Sequence, residues 1–548
     1  MAASLARQPS RHTHQHRPAK PLPSLLLNHA IVCFEEQLFS QAFGLLRSAL
    51  TSGQESAASS HPIAAHVPPL QHLALAATLS VHPRLTTRTK EKDKHAAADE
   101  ALTYLLDLQK TVGVRDAELD KALQFVPKVH AAPRTKRAKG KTRQSDLLAD
   151  DDDDEMWSTK IRSTYADRDS LWMNAEDFWD VVGWAFNCSV KHKHRWERWR
   201  SWLDFMLDVL MSDLEAHAAD DAAGESMLAQ YLKPFGEGRN NKRRLMRAIL
   251  ADGGQKSLPE FGELWRNETK LPKPEKKEAK AGKKRKLDLE NGEYGDYFDD
   301  ESDVDSPATS LSRSRSATAL PASRTSRQPS GNEEDSEGDD SITCNPRNKP
   351  TEPTGIEAFG GMESIRLRER ILALLVRFCH LSPDVFLDTE DLFDLYTEFF
   401  RPLPLPVFQP LVLSPKRWLG PDEQSSLNQM LLRPLLTSTA PPYDENALTQ
   451  MEYEVHFAPF AANTTSVVDN AKVSLLVEDL LRLLSQCGGL VYSAKFRKAV
   501  EAGIQARREK VGMDGRRKTG ARAREDEEGG VAMECSAERM LACLDMIT

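Results

Sequence analysis

Seven of the nine tryptophans fall between Trp157 and Trp202, and the stretch WDVVGWAFNCSVKHKHRWERWRSWLDFMLDVL, residues 179 to 210, carries five of them. Rings at this density must either be buried together or be held open to stack on a ligand, because large exposed apolar patches are rare on soluble proteins. The spacing favours burial. Phe178, Val182 and Phe186 step by four along one helical face flanked by Trp172 and Trp179, while Trp199, Leu203, Met206, Leu210 and Leu214 step by three or four along another. Trp202, Phe205 and Val209 widen the second stripe, which predicts a helix with neighbours on two sides. The polar run SVKHKHR separates the two helices, and Asn174, with Asp177 three residues on, is the expected N-cap of the first.

Helical periodicity extends through most of the chain. Leu27, Ala30, Phe34, Leu38, Ala42, Leu45 and Leu46 lie on one face, and further helices are expected over 69–81 and in ADEALTYLLDLQKTVG, which ends at Gly113. Later, Leu367, Ile371, Leu374, Leu375 and Phe378 share a face. Thr389 is expected to cap TEDLFDLYTEFF, which stops at Pro402, Pro404 and Pro406, and Ser466 with Asp469 opens a helix ending at Gly488 and Gly489. Alternating strand patterns are nearly absent. The expected class is all-α, built of helical hairpins in a solenoid-like arrangement.

Phe39, Ala42, Ala49 and Leu50 in FSQAFGLLRSAL carry a spacing that resembles the turn and second helix of a tetratricopeptide repeat, where small residues let paired helices approach closely. The likeness covers about one repeat, and the family's Trp, Leu and Gly of the first helix are not in place. What the resemblance implies is protein binding without catalysis.

Composition then divides the chain. PRTKRAKGKTR is strongly basic and Asp150 to Glu155 is an unbroken acidic run. Between 271 and 355, eight basic residues from Lys273 to Lys286 precede nine acidic residues from Asp288 to Asp305 and a Ser-rich tract. Aliphatic residues there are too sparse to offset chain entropy. The expected organisation is a disordered basic tail over 1–22, a helical domain over 23–130, a charged linker over 131–156, and a Trp-rich helical region over 157–270 packing on the first. A disordered linker over 271–355 then leads to a second helical domain over 356–510, a disordered charged segment over 511–530, and a C-terminal helix over 531–548.

Chemical motifs are few. Cys188, His192 and His194 lack a fourth nearby metal ligand, and two histidines two residues apart on a helix point to different sides. AKGKT, residues 138 to 142, ends like a phosphate-binding loop, but Thr135 stands where the first glycine belongs and no strand precedes it. No hydrolase, metalloprotease or dinucleotide-binding signature is present. The seven scattered cysteines read as reduced thiols, and no apolar run is long enough to span a bilayer. No catalytic residue, cofactor or metal ligand is assigned, and a non-enzymatic protein is expected.

The densest functional signal is Lys283, Lys284, Arg285 and Lys286, a cationic cluster suited to the acidic grooves of a nuclear import carrier. Arg7, Arg11, Arg17 and Lys20 precede the first acid, Glu35, which raises mitochondrial import as an alternative, although prolines 9, 18, 21 and 23 interrupt the amphipathic helix it needs. Ser306 before Pro307, and Ser336 within EEDSEGDD, are candidate phosphorylation sites. The sequence therefore points to a nuclear helical scaffold in a multiprotein assembly, in chromatin maintenance or ribosome biogenesis, whose partners are helices or peptides held in grooves. The alternative is a single-stranded nucleic-acid binder using Arg195, Trp196, Arg198, Trp199 and Arg200, since indole beside guanidinium can hold stacked bases.

Overall fold

The computed structural model describes residues 16–53, 63–125, 160–235, 238–272, 355–414, 416–441, 448–488, 490–513 and 520–547. The expected charged linker over 131–156 lies wholly outside those residues, and of the expected linker over 271–355 only 271, 272 and 355 are among them. Strand β1 (Ala19–Pro21) precedes α1 (Ser24–Glu35) and α2 (Phe39–Thr51); β2 (Ala65–Val67) precedes α3 (Leu70–Val81), α4 (Lys92–Thr111) and α5 (Leu119–Ala122). After residue 160 come α6 (Leu171–Asn174), α7 (Phe178–Lys191), α8 (Lys193–Ala219), α9 (Met227–Leu232), α10 (Arg239–Ile249) and α11 (Ser257–Glu260). From residue 355 follow α12 (Met362–Leu381), α13 (Thr389–Phe400), α14 (Leu405–Val412), α15 (Pro421–Leu432), α16 (Gln450–Glu452), α17 (Val467–Gln486), α18 (Ala494–Gly512) and α19 (Ala521–Ile547). The described chain is thus predominantly helical, as its periodicity predicts.

The first two helices form the expected hairpin, turned at Gln37 with φ of 58°, so the single face expected from Leu27 to Leu46 is divided between two helices and Leu38 is left exposed at the turn. Phe39, Ala42, Ala49 and Leu50 are all buried, and α2 packs on both α1 and α4. A small parallel sheet accompanies it, with Ala19 opposite Ala65, Lys20 opposite His66 and Pro21 opposite Val67. This corrects the boundary of the disordered tail expected to run to residue 22. Arg17 is the physical reason: its buried guanidinium donates to Ile63 O at 2.7 Å, Leu50 O at 2.9 Å and Ser52 O at 2.7 Å. It thereby satisfies carbonyls that the end of α2 leaves without helical partners.

Helix caps refine the expected starts. Asp177 caps α7 in place of Asn174, accepting from Asp180 N at 2.8 Å. Asn174 closes α6 instead, donating its amide to Arg168 O and Ser170 O. Asp388 caps α13 in place of Thr389, accepting from Asp391 N at 2.7 Å, and its carboxylate also opposes the helix dipole. Ser466 caps α17 as expected, and Gly113 follows α4 with φ of 90°. The chain resumes as α14 after the proline break, with Pro406 in the first turn where a missing N–H costs nothing. Helix α19 begins at 521, so the last ten residues of the expected disordered segment are helical.

The described residues up to 272 and from 355 onward belong to one compact unit, with α12 against α8 and α13 against α10. The two expected halves therefore share a core. Arg368 shows how they join: its guanidinium donates to Ile249 O at 2.8 Å and Ala251 O at 2.9 Å at the end of α10, and lies 4.1 Å from the centroid of the Phe186 ring. Burial pulls its pKa down to about 9, with Asp252 opposing.

Candidate functional site

The indole-rich segment folds inward. Trp179, Trp184, Trp199 and Trp202 are among the largest fully buried side chains, and Trp196 is 5% exposed. At their centre lies a carboxylate that the sequence reading does not single out. Glu268 Oε1 accepts from Trp184 Nε1 and Trp199 Nε1, each at 3.0 Å, and from Arg195 Nε at 2.8 Å; Oε2 accepts from Leu264 N and Trp265 N. Arg195 Nη2 also donates to Glu268, and the guanidinium is completed by Thr86 Oγ1 at 2.9 Å and Val81 O at 2.8 Å. Trp265 stacks on Trp199 with ring centroids 6.1 Å apart.

Every oxygen and most N–H groups of this ion pair are matched, which is the condition under which buried charge is tolerated. The cluster therefore ties α3, α7, α8 and the 264–268 segment together. It presents no open face to a substrate. A single buried Glu gives no periodic signal, and only three-dimensional proximity to Arg195, 73 residues away, reveals its role.

The remaining arginines of the proposed nucleic-acid surface border a cavity of about 630 Å³ and are engaged in partly exposed ion pairs. Arg198 pairs with Asp99, Arg200 with Glu363, and neighbouring Lys193 with Glu357. Cys188 is buried, and desolvation raises its thiol pKa well above the ordinary value. His192 and His194 have ring centroids 6.3 Å apart, and among the described residues no group of three or more His, Cys, Asp or Glu is placed to hold a metal ion. Lys283, Lys284, Arg285, Lys286, Ser306, Ser336 and the AKGKT loop lie outside the described residues. Among the described residues no helix is long and apolar enough to cross a membrane.

One surface feature with binding geometry is a groove between α8 and α12. The ion pairs Arg200 with Glu363, and Asp204 and Asp208 with Arg370, show that the two helices run side by side in the same direction. Asp204, Asp208, Met211 and Glu215 recur at four and three residue steps on α8, and Arg366, Arg370, Ala373 and Arg377 do so on α12. A cavity of about 710 Å³ and an adjoining one of about 270 Å³ lie along this seam and share Met211, Ala373 and Trp418. Leu207, Leu374 and Pro410 add to the apolar lining. Trp418 is held by donating Nε1 to Leu411 O at 2.9 Å.

Charge around the groove is uneven. Arg370 is taken up by Asp204 and Asp208, and Arg417 by Asp479 and Gln486. Arg366, Arg377 and Lys416 are exposed and form no ion pair among the described residues. Burial pushes the Glu369 carboxyl up to about 7, with Ser414 and Arg366 opposing, so this acid carries only part of its charge at neutral pH. The α12 bank is therefore cationic beside an apolar floor. Comparison with protein-family models, curated proteins and solved structures gives no match to this chain.

Proposed function

We propose that the chain is a non-enzymatic helical scaffold of the nucleus, working in a multiprotein assembly such as those of chromatin maintenance or ribosome biogenesis. The observation that carries this reading is the groove between α8 and α12, with an apolar floor, a tryptophan wall and cations not taken up by the fold. Helices and peptides bind such grooves through a few buried apolar anchors, with charge setting orientation and encounter rate. In this reading the helices stack in a solenoid-like manner, as in repeat proteins that bind through extended surfaces.

Nuclear residence rests on Lys283, Lys284, Arg285 and Lys286, which suit an import carrier, and phosphate added at Ser306 or Ser336 would regulate contacts by deepening an acidic tract. Burial of Trp196 and Trp199, and the pairing of Arg198 and Arg200, weigh against the stacking-platform alternative. The test is affinity purification of the tagged full chain from nuclear extract, together with imaging of a variant in which all four residues of the basic cluster are alanine. Stable protein companions and loss of nuclear signal in the variant are expected. A chain that purifies alone, or a wild-type signal outside the nucleus, overturns the reading.

A further inference from the structure

We infer that the seam between α8 and α12 receives one amphipathic helix from a partner protein, about three turns long, with its acidic edge along α12. This rests on the scaffold reading and specifies the partner's chemistry.

Three observations carry it. First, length: Arg366 to Arg377 spans eleven residue steps, roughly 16 Å at 1.5 Å per residue, and Asp204 to Glu215 spans the same rise on the parallel helix. A straight element of about three turns matches that track. Second, shape: two adjoining cavities share Met211, Ala373 and Trp418, so the track is continuous, mainly apolar in its larger part and bordered by Glu215, Arg377 and Glu423 in its smaller, with the small Ala373 where the two meet. Successive anchors of a helix, at three and four residue steps, fit a floor of this kind, whereas a globular face would not enter it. Third, charge: Arg366, Arg377 and Lys416 border one side and form no ion pair among the described residues, while Asp204 and Asp208 on the other side share the single Arg370 guanidinium. An acidic edge is therefore favoured on the α12 side, and a basic helix is disfavoured there.

The test places a photo-cross-linking amino acid at Met362, which is 40% exposed on the groove rim, and, as a control, at Val32, which is 54% exposed on α1. Both full-length variants are irradiated in the cells of origin and the attached peptides are sequenced. The expected product at Met362, absent at Val32, is a segment of another protein with apolar residues at helical spacing and acids along one edge. That segment, made as a synthetic peptide, should bind the full chain at least tenfold more weakly after the double change Arg366→Glu and Arg377→Glu. Binding should recover when the peptide's acids are replaced by lysine. Because both arginines are exposed, the variant should keep the parent's melting temperature, and Arg366→Gln with Arg377→Gln serves as the milder second variant.

A basic segment, a second copy of this chain, or undiminished binding to the reversed variant overturns the proposal. If companions still purify with the reversed variant at parental yield, the groove proposal fails and the scaffold reading stands. If the unaltered chain has no companions, the scaffold reading itself fails.

Discussion

Arg195 donates Nε to Glu268 Oε1 at 2.8 Å with both side chains wholly excluded from solvent. An ion pair in that setting is a specific joint, because removing one partner leaves the other charge buried without compensation. Two indole N–H groups converge on the same carboxylate oxygen, so the rings are oriented as well as packed.

Glu268→Gln should therefore lower unfolding free energy by about 3 kcal/mol, since the amide keeps the shape but not the charge opposite Arg195. Urea denaturation followed by tryptophan emission measures it. A loss below about 1 kcal/mol would mean that the pair contributes little beyond its volume.

Trp199→Ala should cost about 3–5 kcal/mol, by removing a fully buried ring, its stack on Trp265 and a hydrogen bond to Glu268. Calorimetry reads this as a lower melting temperature. Unchanged stability accompanied by loss of single-stranded RNA or DNA binding would instead support a stacking platform.

Gly503 lies inside α18, where alanine ordinarily stabilises by about 1 kcal/mol. Here an added Cβ would clash with Ala458 O, a backbone atom that cannot swing away. Gly503→Ala should consequently destabilise, by about 2 kcal/mol or more, and thermal melts give the sign directly.

Burial lowers the pKa of His72 to about 4 and that of His82 to about 3, with nearby arginines adding to the shift at His82. The folded state keeps these rings neutral while the unfolded chain takes up protons below about 6.5, so their stabilisation is present above that pH and is lost as pH falls toward 4. Glu369 acts oppositely: its raised pKa makes the folded state hold a proton, and stability falls as pH rises from about 4.5 to 7. His72→Phe retains a ring against Phe34 and should remove about 2 kcal/mol of the loss between pH 7 and 4.5. Chemical denaturation at both pH values checks this, and an unaltered pH difference rules it out.

Much of the local structure was legible in order along the chain. The stripes Phe178, Val182, Phe186 and Trp199, Leu203, Met206 predicted both tryptophan-bearing helices and their inward faces, because burial of a helical stripe needs only spacing and apolar character. Caps were legible to within a few residues: Ser466 serves as expected, while Asp177 and Asp388 take the places assigned to Asn174 and Thr389. Each substitute offers an equivalent acceptor, and only backbone geometry at the junction selects between neighbours.

The sequence alone determined that this chain is helical and that the indoles of α7 and α8 are buried, since both follow from local periodicity. Tertiary structure decided which charges go inside with them. Glu268, Arg368 and Arg17 look like ordinary surface residues in the sequence, and each is buried by partners between 33 and 119 positions away. It also decided the groove, because α8 and α12 lie on opposite sides of the 273–354 stretch and only their side-by-side packing brings Met211, Ala373 and Trp418 together. The physical reason is range: helix formation and apolar burial are written in steps of three and four residues, whereas satisfying a buried charge or enclosing a cavity depends on groups that chain order does not place near each other.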